Sequence, residues 1–103
     1  MNIVILITCA HKREAARIAR HLVKKRLVAC VNLVDKIESV FWWQKKVDSA
    51  AEVLLIAKSR KSMVNKIIRQ VKLIHSYRVP EVVALPIVAG NHDYLNWINE
   101  SVR

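Results

Sequence analysis

Apolar and polar positions change period several times along the chain, and each change marks an element. Five large aliphatics in a row, Ile3 to Ile7, predict a central strand covered on both faces. Cys9 to Lys12 make the connection that follows, where Thr8 is the only conventional candidate for a helix cap. From Lys12 to Arg26, Ala15, Ile18, Ala19, Leu22 and Val23 recur at helical spacing opposite Arg13, Arg17, Arg20 and Lys24, so this helix carries a cationic outer face. Leu27 to Lys58 reads as two long strands joined by a polar turn at Gln44, Lys45 and Lys46. In the return strand Val53, Leu55 and Ala57 face one way and Leu54 and Ile56 the other, again the pattern of a central strand. Ser59 or Ser62 can cap a second helix, whose stripe is Val64, Ile67, Ile68, Val71 and Ile74 and which ends near His75, ahead of Pro80. Val82 to Leu85, flanked by Pro80 and Pro86, suit an edge strand. After Gly90, Asn91 can cap a last helix with Asp93 in its first turn and Tyr94, Trp97, Ile98 and Val102 on its apolar side.

The order is βαββαβ with an added C-terminal helix. Right-handed crossovers fold it into an α+β, ferredoxin-like antiparallel sheet, helices on one face, with the first and third strands central. Those are the two strands whose sequences are apolar on both faces. Asp35, Lys36 and Glu38 interrupt the second strand, which predicts a bulge or bend near Asp35. If that strand runs from Val28 to Phe41 it spans roughly 45 Å, whereas helices of about 15 residues reach roughly 22 Å. The hairpin therefore overhangs its helices. At its far end Phe41, Trp42 and Trp43 would stand partly in water beside unpaired strand edges, which makes the hairpin an assembly device and these rings an inter-subunit interface.

Composition adds limits. The 103 residues make one domain, 1–103, large enough to bury a core without disulfides. Hydrophobic residues are 53% of the chain, with one Gly and two Pro, which argues against a disordered tail. A net charge of +10 opposes self-association and attracts polyanions, so an oligomer must be held by strand pairing and apolar burial. Cys9 and Cys30 fit free thiols in a reducing compartment, and no stretch reads as a signal peptide or a membrane span, so the cytoplasm is expected. Gly90 stands alone, which excludes P-loops, dinucleotide fingerprints and the G-x-S-x-G elbow, and no enzyme is expected.

The segments LVKKRLVACVN (Leu22 to Asn32), SVFWWQKKV (Ser39 to Val47), EVLLIAKS (Glu52 to Ser59), HSYRVPEVVALPI (His75 to Ile87) and DYLNWINES (Asp93 to Ser101) together resemble the CutA family of divalent-cation tolerance proteins. The resemblance covers nearly the whole chain. It implies a ferredoxin-like protomer in a tight homotrimer whose hairpins pair across subunits, a likeness to the PII signal-transduction proteins, an association with copper and other divalent ions, and no catalytic activity. By the same resemblance Cys30 matches the cysteine of A-C-V-N, Trp43 the hairpin tryptophan and Lys58 the lysine closing the third strand. His75, Tyr77, Pro80 and Glu81 match the H-x-Y-x-x-P-E stretch, and Tyr94 and Trp97 the C-terminal Y-x-x-W. Three positions depart from the pattern: Ser76 replaces a proline, Lys45 a glycine, and CAHK (Cys9 to Lys12) an Ala-Pro-Asp run, which removes a carboxylate there.

Two kinds of site follow as expectations. Thiolate and imidazole are good ligands for copper and zinc, and a carboxylate can complete the set, so Cys30, His75 and Glu81 are the candidate metal ligands. Cys30 equally suits a core position and His75 a helix cap. Trp43, Lys58, Tyr77 and Trp97 are candidates for a ligand cleft between subunits, or for hydrogen bonds and packing that fix such clefts. No cofactor is required, and copper or another divalent cation is the candidate ligand. A homotrimer and an acidic protein are the candidate partners, with neither a membrane nor a specific nucleic acid. Two alternatives share the strand order. An RNA-recognition domain wants glycine and exposed aromatics on the third strand, where this chain has EVLLIAK, and an acylphosphatase wants an anion cradle near His11, Lys12 and Arg13, where glycine is missing.

Overall fold

A computed structural model describes residues 1–103. Its elements are β1 (Asn2–Cys9), α1 (Lys12–Lys24), β2 (Cys30–Trp43), β3 (Lys46–Arg60), a short 3₁₀ turn (Lys61–Met63), α2 (Val64–Ile74), β4 (Val82–Pro86) and α3 (His92–Ser101). The sheet order is β2-β3-β1-β4 with every pair antiparallel, the ferredoxin-like arrangement, and β1 and β3 are central as expected.

Alternation along the central strands decides which face is core. Ile3, Ile5, Ile7 and Cys9 on β1 stand opposite Ser59, Ala57, Leu55 and Val53 on β3, and all eight are buried beneath Ala15, Ile18 and Leu22 of α1 and Ile67 and Val71 of α2. The other face has no such cover. Val4, Leu6, Leu54 and Ile56 are half-buried there, and Val83 and Leu85 of β4, which pair with Leu6 and Val4, are exposed. Both faces of β1 and β3 are apolar in sequence, yet one chain covers only one of them.

The hairpin departs from β-ladder regularity where charge interrupts its sequence. Register shifts between Val34 and Ile37, and Lys36 sits in the left-handed region at φ 60°. Beyond this bulge only Ile37, Ser39 and Ala50 are half-buried and Glu52 buried, while Trp42 is 75% exposed. The molecule is accordingly elongated, 44 × 26 × 22 Å. The turn itself is two residues, Gln44 and Lys45, both left-handed at φ 50° and 66°; Lys46, expected in the turn, already belongs to β3. Such turns favour Asn and Gly because a Cβ is costly at positive φ.

Several local expectations need correction. Thr8 remains in β1, and α1 is capped by His11, whose Nδ1 accepts from the Glu14 N–H at 3.2 Å. Neither Ser59 nor Ser62 caps α2, whose N-cap position is Met63 and has no side-chain cap; Ser59 Oγ instead donates to the Leu27 carbonyl at 2.5 Å. Helix α1 stops at Lys24 rather than Arg26. Arg26 takes the left-handed C′ position at φ 58°, its N–H donating to Val23 O and that of Leu27 to Leu22 O, which closes a Schellman motif usually built on glycine. Ile98 on α3 and Val102 just after it are buried as expected, but Tyr94 and Trp97 remain 43% and 42% exposed.

Candidate functional site

Chemistry-bearing side chains gather at two ends of the sheet. At the C-terminal end of β1, the ligand atoms of Cys9, Glu14 and His75 all lie within 4.8 Å of one another. Three elements deliver them: the inward-facing last residue of β1, the first turn of α1, and the residue that ends α2. His75 Nδ1 accepts from the Tyr77 N–H at 3.0 Å, so Nε2 bears the proton and donates to the Thr8 carbonyl at 2.8 Å. Glu14 is 2% exposed; its Oε1 accepts from the Ala10 N–H at 3.2 Å and its Oε2 from the Ser76 N–H at 2.8 Å. Burial pushes this carboxyl up, but the hydrogen bonds from Ser76 and Ala10 and the nearby His75 outweigh it, and the group ends below the ordinary carboxylate value. For Cys9 burial dominates, reinforced by the charges of Glu14 and Glu52, and its thiol is pushed up to about 12. The carboxylate that CAHK removes from the connection is thus supplied by Glu14.

Next to this cluster a groove of about 810 Å³ opens between the loop after α2 and the far half of the hairpin. Trp43, Tyr77 and Glu81 line it with Asp48 and Glu52. Tyr77 donates its O–H to Glu52 Oε2 at 2.6 Å, and its ring lies 4.8 Å from that of His75. Burial and that bond to a carboxylate raise the Tyr77 phenol well above its usual value.

The opposite end of the open face holds Cys30, Lys58, Tyr94 and Trp97. Cys30 stands directly across from Lys58, whose Nζ donates to Asn32 Oδ1. Cys30 Sγ lies 3.5 Å from the Tyr94 hydroxyl, and the Tyr94 and Trp97 rings are 5.4 Å apart. The contact with Cys30, helped by burial, pushes the Tyr94 phenol up to about 12.

The expected groups are therefore regrouped. Cys30, His75 and Glu81 do not converge within one chain. Cys30 pairs with Lys58 and Lys58 with Val4, four residues along β1 from the Thr8 that holds His75, a separation of about 14 Å along the strand. His75 meets Cys9 and Glu14 instead, and Glu81 lies in the groove. Of the expected cleft residues, Trp43 and Tyr77 share that groove, while Lys58 and Trp97 sit at the other end with Cys30. Cys9 and Glu14 were missed because their signal is tertiary; the one clue was that Glu14 is the only carboxylate between Ala10 and Val34.

As a donor set, thiol, imidazole and carboxylate suit zinc or copper. A tetrahedral ion needs ligand atoms roughly 3.3–3.8 Å apart, so the cluster must contract by about 1 Å, lose the Cys9 proton and release hydrogen bonds at Glu14 and His75. The two alternatives find no support here. The open face of the central strands is aliphatic rather than aromatic, and the start of α1, where an anion cradle would lie, is already filled by the Glu14 carboxylate.

Comparison with known proteins bears on family and fold. The family model described as CutA1 divalent ion tolerance protein matches residues 3–101. A rice (Oryza sativa subsp. japonica) protein described as Protein CutA 1, chloroplastic, is 46% identical over 102 residues, 99% of this chain and 58% of its own length. The divalent-cation tolerance protein CutA of Thermus thermophilus is 44% identical over 101 residues, 98% of either chain. The chain thus spans little more than half the length of the plant relatives and nearly all of the bacterial one. The solved Thermus thermophilus structure superposes with a TM-score of 0.98 at 43% identity, covering 100% of both chains. That of the periplasmic divalent cation tolerance protein CutA from Archaeoglobus fulgidus gives 0.96 at 41%, again over 100% of both. Chloroplastic and periplasmic descriptions both occur among these relatives, so no single compartment follows from kinship, and no helix is long and apolar enough to cross a membrane. In sequence and fold alike, the chain belongs to the CutA1 divalent ion tolerance family.

Proposed function

We propose that this chain is a non-enzymatic, homotrimeric divalent-cation-binding protein working in a reducing compartment such as the cytoplasm, and that it holds its cation at Cys9, Glu14 and His75. The convergence of three different ligand types within 4.8 Å carries this reading. Binding there exchanges structural hydrogen bonds for metal bonds. Coordination through the Nδ1 lone pair of His75 gives up the Tyr77 N–H, and coordination through Nε2 gives up both ring bonds because the proton must then move to Nδ1; with Glu14 Oε2 leaving Ser76, either frees the loop carrying Tyr77 and Glu81. That loop is one wall of the groove, so cation occupancy changes the shape of a surface a partner can read, a route from metal to signal. Copper or zinc, when bound, supplies the link between α1, β1 and α2 that the hydrogen bonds supply without it.

The uncovered sheet face and the exposed hairpin tip support assembly. Val4, Leu6, Leu54, Ile56, Val83 and Leu85 form one aliphatic surface, and Phe41, Trp42 and Trp43 extend beyond it. A surface of this kind is costly to leave in water and marks an interface. Free Cys9 and Cys30 support the reducing compartment.

Isothermal titration with Zn(II) and Cu(II), together with the thiolate absorption of the Co(II) form, tests the site. Cys9→Ser and His75→Ala are expected to weaken binding at least tenfold and to remove the thiolate band in the first case, while Cys30→Ser leaves both intact. Loss of binding on Cys30→Ser with Cys9→Ser unaffected moves the site to Cys30 at the other end of the sheet. Light scattering at three times 11.9 kDa tests the trimer.

A further inference from the structure

The distribution of charge in this chain is more uneven than its net value. Glu14 is the only carboxylate between Ala10 and Val34, none lies between Val53 and Pro80, and Glu14 itself is buried. Those two segments contain α1 and α2, which cover the core face of the central strands. Arg17 reaches the Ile74 carbonyl at 3.0 Å and His21 the Gln70 side chain at 2.7 Å, so the helices lie side by side and antiparallel. Arg13, Arg20 and Lys24 stand on one exposed stripe of α1, extending about 16 Å. Lys66, Arg69 and Lys72 line the neighbouring exposed face of α2. None of the six makes an ion pair or donates a side-chain hydrogen bond within the chain; the single ion pair of the molecule is Arg17 with Glu14 at 3.9 Å.

Such a layer repels itself, and nothing within the chain offsets the repulsion. We propose that it is a docking surface for the phosphate backbone of double-stranded nucleic acid, bound without regard to sequence. Two rigid cationic rows on axes about 8–10 Å apart, their long side chains splaying outward, match phosphate strands that flank one groove. No Phe, Tyr or Trp occurs between Ala10 and Val34 or between Val53 and Ser76, and the histidines there are held within the chain, His11 capping α1, His21 on Gln70 and His75 on Thr8, so the face has no platform on which unpaired bases could stack. The only large apolar side chains exposed on the two helices are Val23 and Leu73, one on each, which gives no wedge for a bilayer. The aliphatic face lies on the other side of the sheet, so assembly through it leaves the cationic layer outside.

Fluorescence anisotropy with a labelled 20-base-pair duplex, across 50 to 200 mM salt, tests this on the full chain. A variant carrying Arg13→Gln, Arg20→Gln, Lys66→Gln and Arg69→Gln is compared with one of equal net charge carrying Lys36→Gln, Lys45→Gln, Lys46→Gln and Arg103→Gln. Circular dichroism and light scattering confirm that both retain fold and assembly. The helix-face variant is expected to lose affinity by roughly four orders of magnitude at 50 mM salt, a loss that narrows about 150-fold by 200 mM because the log–log slope falls by roughly 3.6, while the control loses threefold or less. Equal losses in the two variants overturn the proposal, since net charge alone would then account for binding. It is overturned too if an unpaired strand of the same length binds more tightly than the duplex. Phosphatidylserine vesicles or poly-glutamate that displace the duplex at matched charge concentration assign the surface to a membrane or an acidic protein instead.

Discussion

Removing the Glu14 carboxylate is the sharpest test of how the helical layer is fastened to the sheet. Glu14 joins the N–H of Ala10, at the entry to α1, to the N–H of Ser76, just after α2, and so ties the two helix ends together across β1. Hydrogen bonds to a charged acceptor contribute about 1.5–3 kcal/mol each. Ser76 is exposed and water can replace its lost partner, whereas Ala10 is half-buried, so Glu14→Ala should cost about 2–3 kcal/mol. For a domain of this length that is a fall in Tm of roughly 10–15 °C at fixed protein concentration. The charge carries its own signature in metal-free protein. Because the folded carboxyl sits below its ordinary value of 4.5, its contribution is complete above that value and is lost as the pH falls through the folded one. The stability gap between wild type and Glu14→Gln, from urea unfolding with a chelator present, should therefore be widest near pH 6 and should narrow steadily toward pH 3. A gap that stays constant with pH, or a Glu14→Ala protein melting within 3 °C of wild type, would refute the latch.

Other outcomes follow from single contacts. Lys45→Gly relieves a left-handed residue in the two-residue turn and should raise stability by about 0.5–1 kcal/mol in urea titrations, the glycine's own chain entropy offsetting part of the gain. Ser59→Ala leaves the buried Leu27 carbonyl without its donor and should cost about 1–3 kcal/mol by the same measurement. Zinc affinity should rise close to tenfold per pH unit between 6 and 8, because the Cys9 thiol, pushed up to about 12, must give up its proton to the solvent; a flat titration removes Cys9 from the ligand set. Trp42, so exposed in one chain, should become poorly accessible to acrylamide in the assembled protein, and diluting the protein until light scattering reports monomer should restore the quenching.

Periodicity alone carried most of the fold. Strands with both faces apolar identified β1 and β3 as central, and the charges at Asp35 and Lys36 placed the bulge, because a register break is where polar residues can leave the ladder without facing the core. The helix caps were illegible for a physical reason: His11 is not among the usual cap residues, yet its Nδ1 lone pair does the same work as a serine oxygen. The site was legible only by halves. His75 and Tyr77 stand out by residue type, but which cysteine His75 meets depends on strand pairing, and the register that sets Cys30 against Lys58 rather than near Thr8 is a long-range fact. Parity could have helped, since Cys30 and Lys58 must share a face once they are opposite, and that face is the open one.

The two surfaces of the sheet explain how a chain this positive can assemble at all. The proposed trimer carries +30, from +10 each, and repulsion between its chains grows as their charged surfaces approach. Eight of the eighteen cations, however, lie on α1 and α2, with Glu14 the only carboxylate among them, on the far side of the sheet from Val4, Leu6, Leu54 and Ile56. Chains that meet through the aliphatic face place the full thickness of the sheet and the helical layer between their main clusters of charge, distances at which physiological salt, with a screening length of about 8 Å, removes most of the repulsion. Beside the aliphatic patch on the open face of the central strands stand Lys58, held by Asn32 from its own chain, and Arg60 at the very end of β3. In the proposed trimer, segregating charge in this way would let apolar burial govern association while the cationic layer stays free for the proposed polyanion.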